Sequence, residues 1–229
     1  MPTAIVTGAS RGLGFELTRA LLREGRRVVI DARGARELED AGRALEALGD
    51  VVAVRGNVTD PDHRAALVEA AGAELDLLVN NASVLGPSPQ PALADYPVHV
   101  LEHVYRVNVV GPLALAQLAI PRLPAGGRIL NVTSDAAVEP YPGWGGYGSS
   151  KAALEQLTAI LGAERSDLRV YAVDPGDMRT RMHQEAFPGE DISDRPLPET
   201  VVPHLLGLIG RRPPSGRYRA QVLAPVEVV

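Results

Sequence analysis

The sequence predicts an α/β protein built on a doubly wound, seven-stranded, mostly parallel sheet with helices on both faces. Three observations carry that prediction. Short Val/Ile/Leu-rich runs alternate along the chain with Ala/Leu/Arg/Glu segments of helical period. The runs are continuously apolar rather than alternating, as parallel strands buried on both faces must be. A glycine-rich turn, "TGASRGLG" (7–14), joins the first run to the first helical segment. Strand–helix repetition of this kind builds βαβ units, whose crossovers lay helices on each side of the sheet.

In chain order, "TAIVT" (3–7) predicts the first strand and "FELTRALLREG" the helix behind it. "RRVVID" (26–31) with "ARELEDAGRALEAL", and "VVAVRG" (51–56) with "DPDHRAALVEAAG", repeat the unit. "LDLLVNNAS" (75–83) leads through a proline-rich loop to a long helix from about Pro97 to Leu118. "GRILNVTS" (127–134) precedes a helix that starts near Tyr147. "LRVYAVDPG" (168–176) precedes a polar stretch and a last helix around 199–210, and "GRYRAQVLA" (216–224) reads as the final strand. Residues 176–198 show no periodicity, and an irregular segment of that length in a compact domain reads as a lid over a binding site. No linker, repeat or low-complexity block divides the chain, so 1–229 reads as one domain.

Composition excludes several functions. A chain of 229 residues buries roughly 70–75% of its unfolded surface and needs no staples. It has no cysteine, which removes disulfides, thiolate metal sites and cysteine nucleophiles. The net charge of −5, with acids and arginines interspersed, lacks the basic stripe that nucleic-acid binding requires. The N-terminus runs straight into a strand-like segment, and no apolar run reads as a bilayer span; a cytoplasmic location and no membrane partner are expected. "HVLEH" (99–103) has the spacing of a zinc site, but no further ligand is apparent and no metal is expected. His63, His183 and His204 are isolated and read as surface residues.

The glycine turn has a chemical meaning. Gly8 allows the tight turn, while Gly12 and Gly14 let the backbone and helix approach a pyrophosphate resting on the helix N-terminus. The end of the second strand would then choose the dinucleotide. An acidic side chain there binds the adenosine ribose hydroxyls, and a basic one accommodates a 2′-phosphate. Asp31, Ala32 and Arg33 carry both signals, and strand alternation makes the outcome a matter of register. A second feature is Lys151, the only lysine in a chain that otherwise uses arginine. It follows Tyr147 by four residues, so the two share a helix face. A free tyrosine has a pKa of about 10. A neighbouring ammonium favours the phenolate and lowers that value, making Tyr147 a usable general acid or base.

With these pieces placed, the sequence resembles the short-chain dehydrogenase/reductase superfamily, in its single-domain branch, nearly from end to end. The resemblance rests on "TGASRGLG", "GNVTD" (56–60), "NNAS" (80–83), "RVNVVGP" (106–112), "NVTS" (131–134), "YGSSK" (147–151) and "DPGDMRT" (174–180), in the family's order and spacing. It implies a Rossmann fold and a catalytic tetrad of Asn108, Ser134, Tyr147 and Lys151. In that scheme Tyr147 exchanges the proton and Ser134 holds the substrate oxygen. Lys151 also bonds the nicotinamide ribose, and Asn108 holds a water that links Lys151 to a proton relay. The resemblance further implies cofactor contacts at Gly8, Ser10, Arg11, Gly12, Leu13, Gly14, Arg33, Asn57, Val58, Asn80, Ala82, Pro175, Gly176 and Thr180, besides Tyr147 and Lys151. Ala32 falls where NAD-specific members carry an acid, and Arg33 and Arg11 fall at 2′-phosphate positions. NADP(H) is therefore favoured over NAD(H), with reduction of a ketone or aldehyde as the expected reaction. The alternative is a catalytically silent NAD(P)-binding sensor or scaffold, against which the intact tetrad argues. Ser83 stands where the family usually has glycine. The family also implies a homodimer or homotetramer through the helices at roughly 97–118 and 147–165. Trp144, Tyr141, Met182 and Phe187 are candidates to line the substrate pocket beside the lid.

Overall fold

The computed structural model describes residues 1–226. Seven strands, β1 (Thr3–Val6), β2 (Arg27–Ala32), β3 (Val51–Arg55), β4 (Leu75–Asn80), β5 (Arg128–Val132), β6 (Arg169–Asp174) and β7 (Gly216–Arg219), form one sheet. Its order is β3-β2-β1-β4-β5-β6-β7, and every pairing is parallel. The order reverses between β1 and β4, which places a crevice at the C-terminal ends of these strands.

Alternate strand residues feed two cores. Ala4, Val6, Val28, Ile30, Leu77, Val79 and Leu130 pack with α1 (Gly12–Arg23), α2 (Ala35–Glu46) and α8 (Val202–Arg211). Ile5, Val29, Leu78, Ile129 and Val170 pack on the other face with α3 (Pro61–Ala71) and α5 (Gly111–Ala119). Helix α6 (Gly145–Glu164) covers the same face as α5, with Leu161 against that core.

Several elements depart from the sequence expectation. The long helix runs from Val98 to Arg122 and is apolar and long enough by composition to cross a membrane. Its apolar side, including Leu115, Ala116 and Ala119, is instead packed into the sheet core. Within it, α4 (Val98–Tyr105) and α5 are separated by a π-helical turn, Arg106–Val110. Pro112 has no N–H, so the ordinary bond to the carbonyl four residues back, that of Asn108, cannot form. The expected lid, 176–198, is not wholly irregular: Thr180 caps a short helix, α7 (Arg181–Ala186), by accepting from the His183 N–H. The last strand stops at Arg219, where a 3₁₀ turn, Ala220–Val222, replaces the expected continuation.

Candidate active site

A cleft of about 1210 Å³ runs along the C-terminal ends of the strands. The glycine loop forms one wall. Gly8 has φ 66°, and a Cβ there would stand 2.8 Å from Ala82 Cα, so the loop can lie against the β4 end only with glycine. Asn81 pins the two segments by donating from Nδ2 to the carbonyls of Thr7 (2.8 Å) and Gly8 (3.1 Å). Helix α1 starts after Arg11 with no side-chain cap and no acid in its first turn. Its free N–H groups and positive dipole end therefore face the cleft, the arrangement that holds a phosphate.

Asp31 and Arg33 part company at the end of β2. Asp31 is 2% exposed. Its Oδ1 accepts the Gly8 N–H at 2.6 Å, and its Oδ2 lies 2.8 Å from His63 Nε2. The carboxylate thus fastens the glycine loop to α3. His63, expected on the surface, is buried in this pair, and Gly56 leaves the space that its ring fills. Arg33 is exposed at the cleft rim with Arg11. Among the described residues neither guanidinium has an acidic partner within salt-bridge distance.

The predicted cofactor residues mostly meet in this cleft. Gly8, Ser10, Arg11, Gly12, Leu13, Arg33, Asn57, Val58, Ala82, Pro175, Gly176 and Thr180 all line it. Gly14 lies behind the loop, against Asn81. Asn80 does not face the cleft: its Nδ2 donates to Asn131 Oδ1 at 2.8 Å, inside the sheet. Asn81, absent from the sequence-based set, takes the cleft position next to it.

The tetrad assembles at the far end. Gly148, one residue after Tyr147, lets α6 approach the chain after β5; a Cβ there would stand 2.6 Å from the Ala136 carbonyl. Tyr147 is thereby packed with Ala136, two residues beyond Ser134. Ser134 and Ser83 line the cleft with Tyr147. Ser134 Oγ donates to Asp135 Oδ1 at 2.9 Å, and Tyr141 donates to Asp135 Oδ2 at 3.0 Å. Lys151 Nζ lies 5.4 Å from the Tyr147 ring centre and donates to the Val132 carbonyl at 2.8 Å. Asn108, on the π-turn, does not line the cleft. It is fully buried, and its Nδ2 donates to Ser150 Oγ at 3.0 Å, which in turn donates to the Tyr147 carbonyl at 2.6 Å.

Burial, not the ammonium, governs the electrostatics. The Tyr147 pKa is raised, first by desolvation and then by the carboxylates of Asp135 and Asp174. This reverses the lowering expected from sequence. Lys151 is itself pulled down to about 7 by desolvation, against the attraction of Glu155. Glu155, one turn beyond Lys151, accepts from Thr133 Oγ1 (2.8 Å) and Arg217 Nε (2.9 Å). Arg217 also donates to the Ser134 carbonyl at 3.3 Å. Neither Glu155 nor Arg217 carried a sequence signal.

Trp144 and Met182 line the cleft beside Tyr147. Phe187 packs on Trp144 from the lid, with ring centres 5.8 Å apart, and Ser88 donates to the lid carbonyl of Glu185 at 2.6 Å. Tyr141 points outward and is 44% exposed.

Comparison with known proteins agrees with this geometry. The profile of the short chain dehydrogenase family matches residues 2–191. An NADPH-dependent aldehyde reductase-like protein of Arabidopsis thaliana is 34% identical over 198 residues, covering 78% of this chain and 73% of that protein. A 3-oxoacyl-acyl-carrier-protein reductase of rhamnolipid biosynthesis in Pseudomonas aeruginosa is 36% identical over 193 residues, with the same shares. Among solved structures, a short chain dehydrogenase from Shigella flexneri complexed with NADP superposes with a TM-score of 0.88 at 26% identity, covering 96% of this chain and 97% of that one.

Proposed function

The chain belongs to the short chain dehydrogenase family and is an NAD(P)-dependent oxidoreductase, and on that premise we propose that it reduces a ketone or aldehyde with NADPH. When bound, the cofactor supplies the hydride. The rest is the work of this chain's own residues. The uncapped start of α1 with Arg11 suits the pyrophosphate, and Arg33 suits the 2′-phosphate. Asp31, with both oxygens occupied by Gly8 and His63, is not free to read the ribose. Pro175, Gly176 and Thr180 suit the nicotinamide end. Ser134 positions the substrate oxygen, Tyr147 gives its proton to that oxygen, and Lys151 and Asn108 support the exchange.

One observation carries the reading. Tyr147, kept protonated by burial, opens into the same cleft as the glycine cradle. The test is the loss of NADPH absorbance with trifluoroacetophenone and a panel of aldehydes. Wild type should turn over and prefer NADPH to NADH, and Tyr147→Phe should lose turnover by roughly 10²–10⁴. Cofactor binding without turnover on any carbonyl would favour the silent sensor.

The reading includes self-association through the two long helices. Val110 and Leu118 on one, and Ile160 on the other, are 54%, 42% and 44% exposed. Light scattering in solution should give a dimer or tetramer mass, and a monomer would remove this part of the proposal.

A further inference from the structure

The contact between His63 and Asp31 joins two walls of the cleft. Asp31, Gly56, Asn57 and Val58 line that cleft together with the glycine loop. Asp31 grips the loop twice. Its Oδ1 accepts the Gly8 N–H at 2.6 Å, and its backbone carbonyl accepts the Ala9 N–H at 3.0 Å. A carboxylate has only acceptors, so at the other oxygen His63 donates from Nε2, at 2.8 Å. His63 lies in the first turn of α3, and the next residue, Arg64, donates to the Val58 carbonyl at 2.7 Å. One turn of α3 thus holds the glycine loop through Asp31 and the wall at Asn57 and Val58 through Arg64. The His63 ring fills the space beside Gly56, where any Cβ would collide with it. His63 itself is buried and does not line the cleft.

From this placement, and resting on the reading of the cleft as the dinucleotide site, we propose that His63 is a positioning residue for the cofactor. Its Nε2–H, acting through Asp31, fixes the glycine loop against the wall at Asn57 and Val58. Without that N–H, the carboxylate is held by the loop alone. It is then free to swing into the cleft it lines, where its charge opposes the pyrophosphate. The loop bonds of Asp31 run to Gly8 and Ala9 rather than to Arg11 or Arg33. The pyrophosphate is common to NADPH and NADH, so the affinities for both depend on His63 alike.

Isothermal titration calorimetry with NADPH and with NADH tests this without turnover. Three variants separate the donor from the ring. His63→Ala removes both, His63→Phe keeps a ring with no donor, and His63→Gln keeps a donor without the ring. The Ala and Phe variants should bind both dinucleotides about tenfold more weakly, the scale of a lost hydrogen bond to a charged group. The factor should be the same for each dinucleotide. His63→Gln should bind within about threefold of wild type. With trifluoroacetophenone at saturating NADPH, kcat should stay within about twofold of wild type in all three, so that the effect falls on KM. Wild-type affinity in His63→Ala and His63→Phe, even with a lowered Tm, would overturn the proposal and leave His63 a packing residue. A loss in His63→Gln equal to theirs, or a loss confined to one dinucleotide, would also overturn it. Wild-type protein that binds neither dinucleotide would overturn the reading of the cleft on which the proposal rests.

Discussion

Lys151→Met should stabilise the protein while abolishing turnover. Lys151 is 2% exposed, and burial takes its pKa from 10.5 to about 7. At about 1.4 kcal/mol per pH unit, that fall corresponds to about 5 kcal/mol of destabilisation while the ammonium is charged. Methionine has a similar length and no charge. It forfeits the bond to the Val132 carbonyl, which costs about 1–3 kcal/mol if the carbonyl is left unpaired. Glu155 keeps Thr133 and Arg217 as partners and is not orphaned. The net gain is about 2–4 kcal/mol, or about 4–16 °C in Tm for a domain of this size. The sign follows from the direction of the shift. Below about pH 7 both folded and unfolded states hold the proton, so the full penalty stands. Between pH 7 and 10.5 the folded protein sheds a proton that the unfolded chain keeps, so wild-type stability rises and the mutant's advantage shrinks. Thermal melts without cofactor at about pH 6 and pH 9 bracket the effect. A mutant that melts at or below wild type at the lower pH, or an advantage that does not shrink at the higher one, would refute the reasoning.

Arg33→Ala should raise KM for NADPH by the equivalent of about 1.5–3 kcal/mol while NADH kinetics barely move; a wild type that already prefers NADH would show that another group reads the ribose. Lys151→Arg should lose most turnover at unchanged charge, because a planar fork cannot meet the demands placed on a compact ammonium between Val132 and Tyr147; near-wild-type turnover would mean that only positive charge matters there. His63→Ala leaves the buried Asp31 carboxylate with the Gly8 N–H alone, and urea unfolding should register a loss of about 1–3 kcal/mol; unchanged stability would show that the contact contributes nothing net. Asp135→Asn removes a carboxylate that raises the Tyr147 pKa. The acid limb of alcohol oxidation should therefore move to lower pH by about half to one unit, and an unmoved limb would place the perturbation elsewhere.

The positions of the strands along the chain, the glycine loop and the Tyr147–Lys151 helix were legible because each depends on local pattern: continuous apolar runs, a strand–turn–helix junction, a four-residue spacing. What stayed hidden depends on where elements land. Asp31 and His63 are 32 residues apart, and only the packing of α3 against β2 brings them together. Strand alternation sends Asp31 to the α3 face, a register that the string "VVIDAR" leaves open. Helix α7 spans six residues, too few for a periodic signal. The π-turn at Asn108 follows from Pro112 in a helix that continues through it, whereas proline in sequence reads as a stop. The direction of the Tyr147 shift was missed because spacing reports the ammonium and says nothing of desolvation, which is larger here.

That reversal bears on the direction of the reaction. A general acid must hold its proton until the substrate oxygen takes it, and a general base must already have lost one. Burial, Asp135 and Asp174 all push Tyr147 toward the protonated form. Lys151, the cation that would oppose them, is itself weakened by desolvation and anchored on the Val132 carbonyl. Such a tyrosine keeps its proton at neutral pH, and acting as a base would first require that proton to be removed, which supports the proposed reduction.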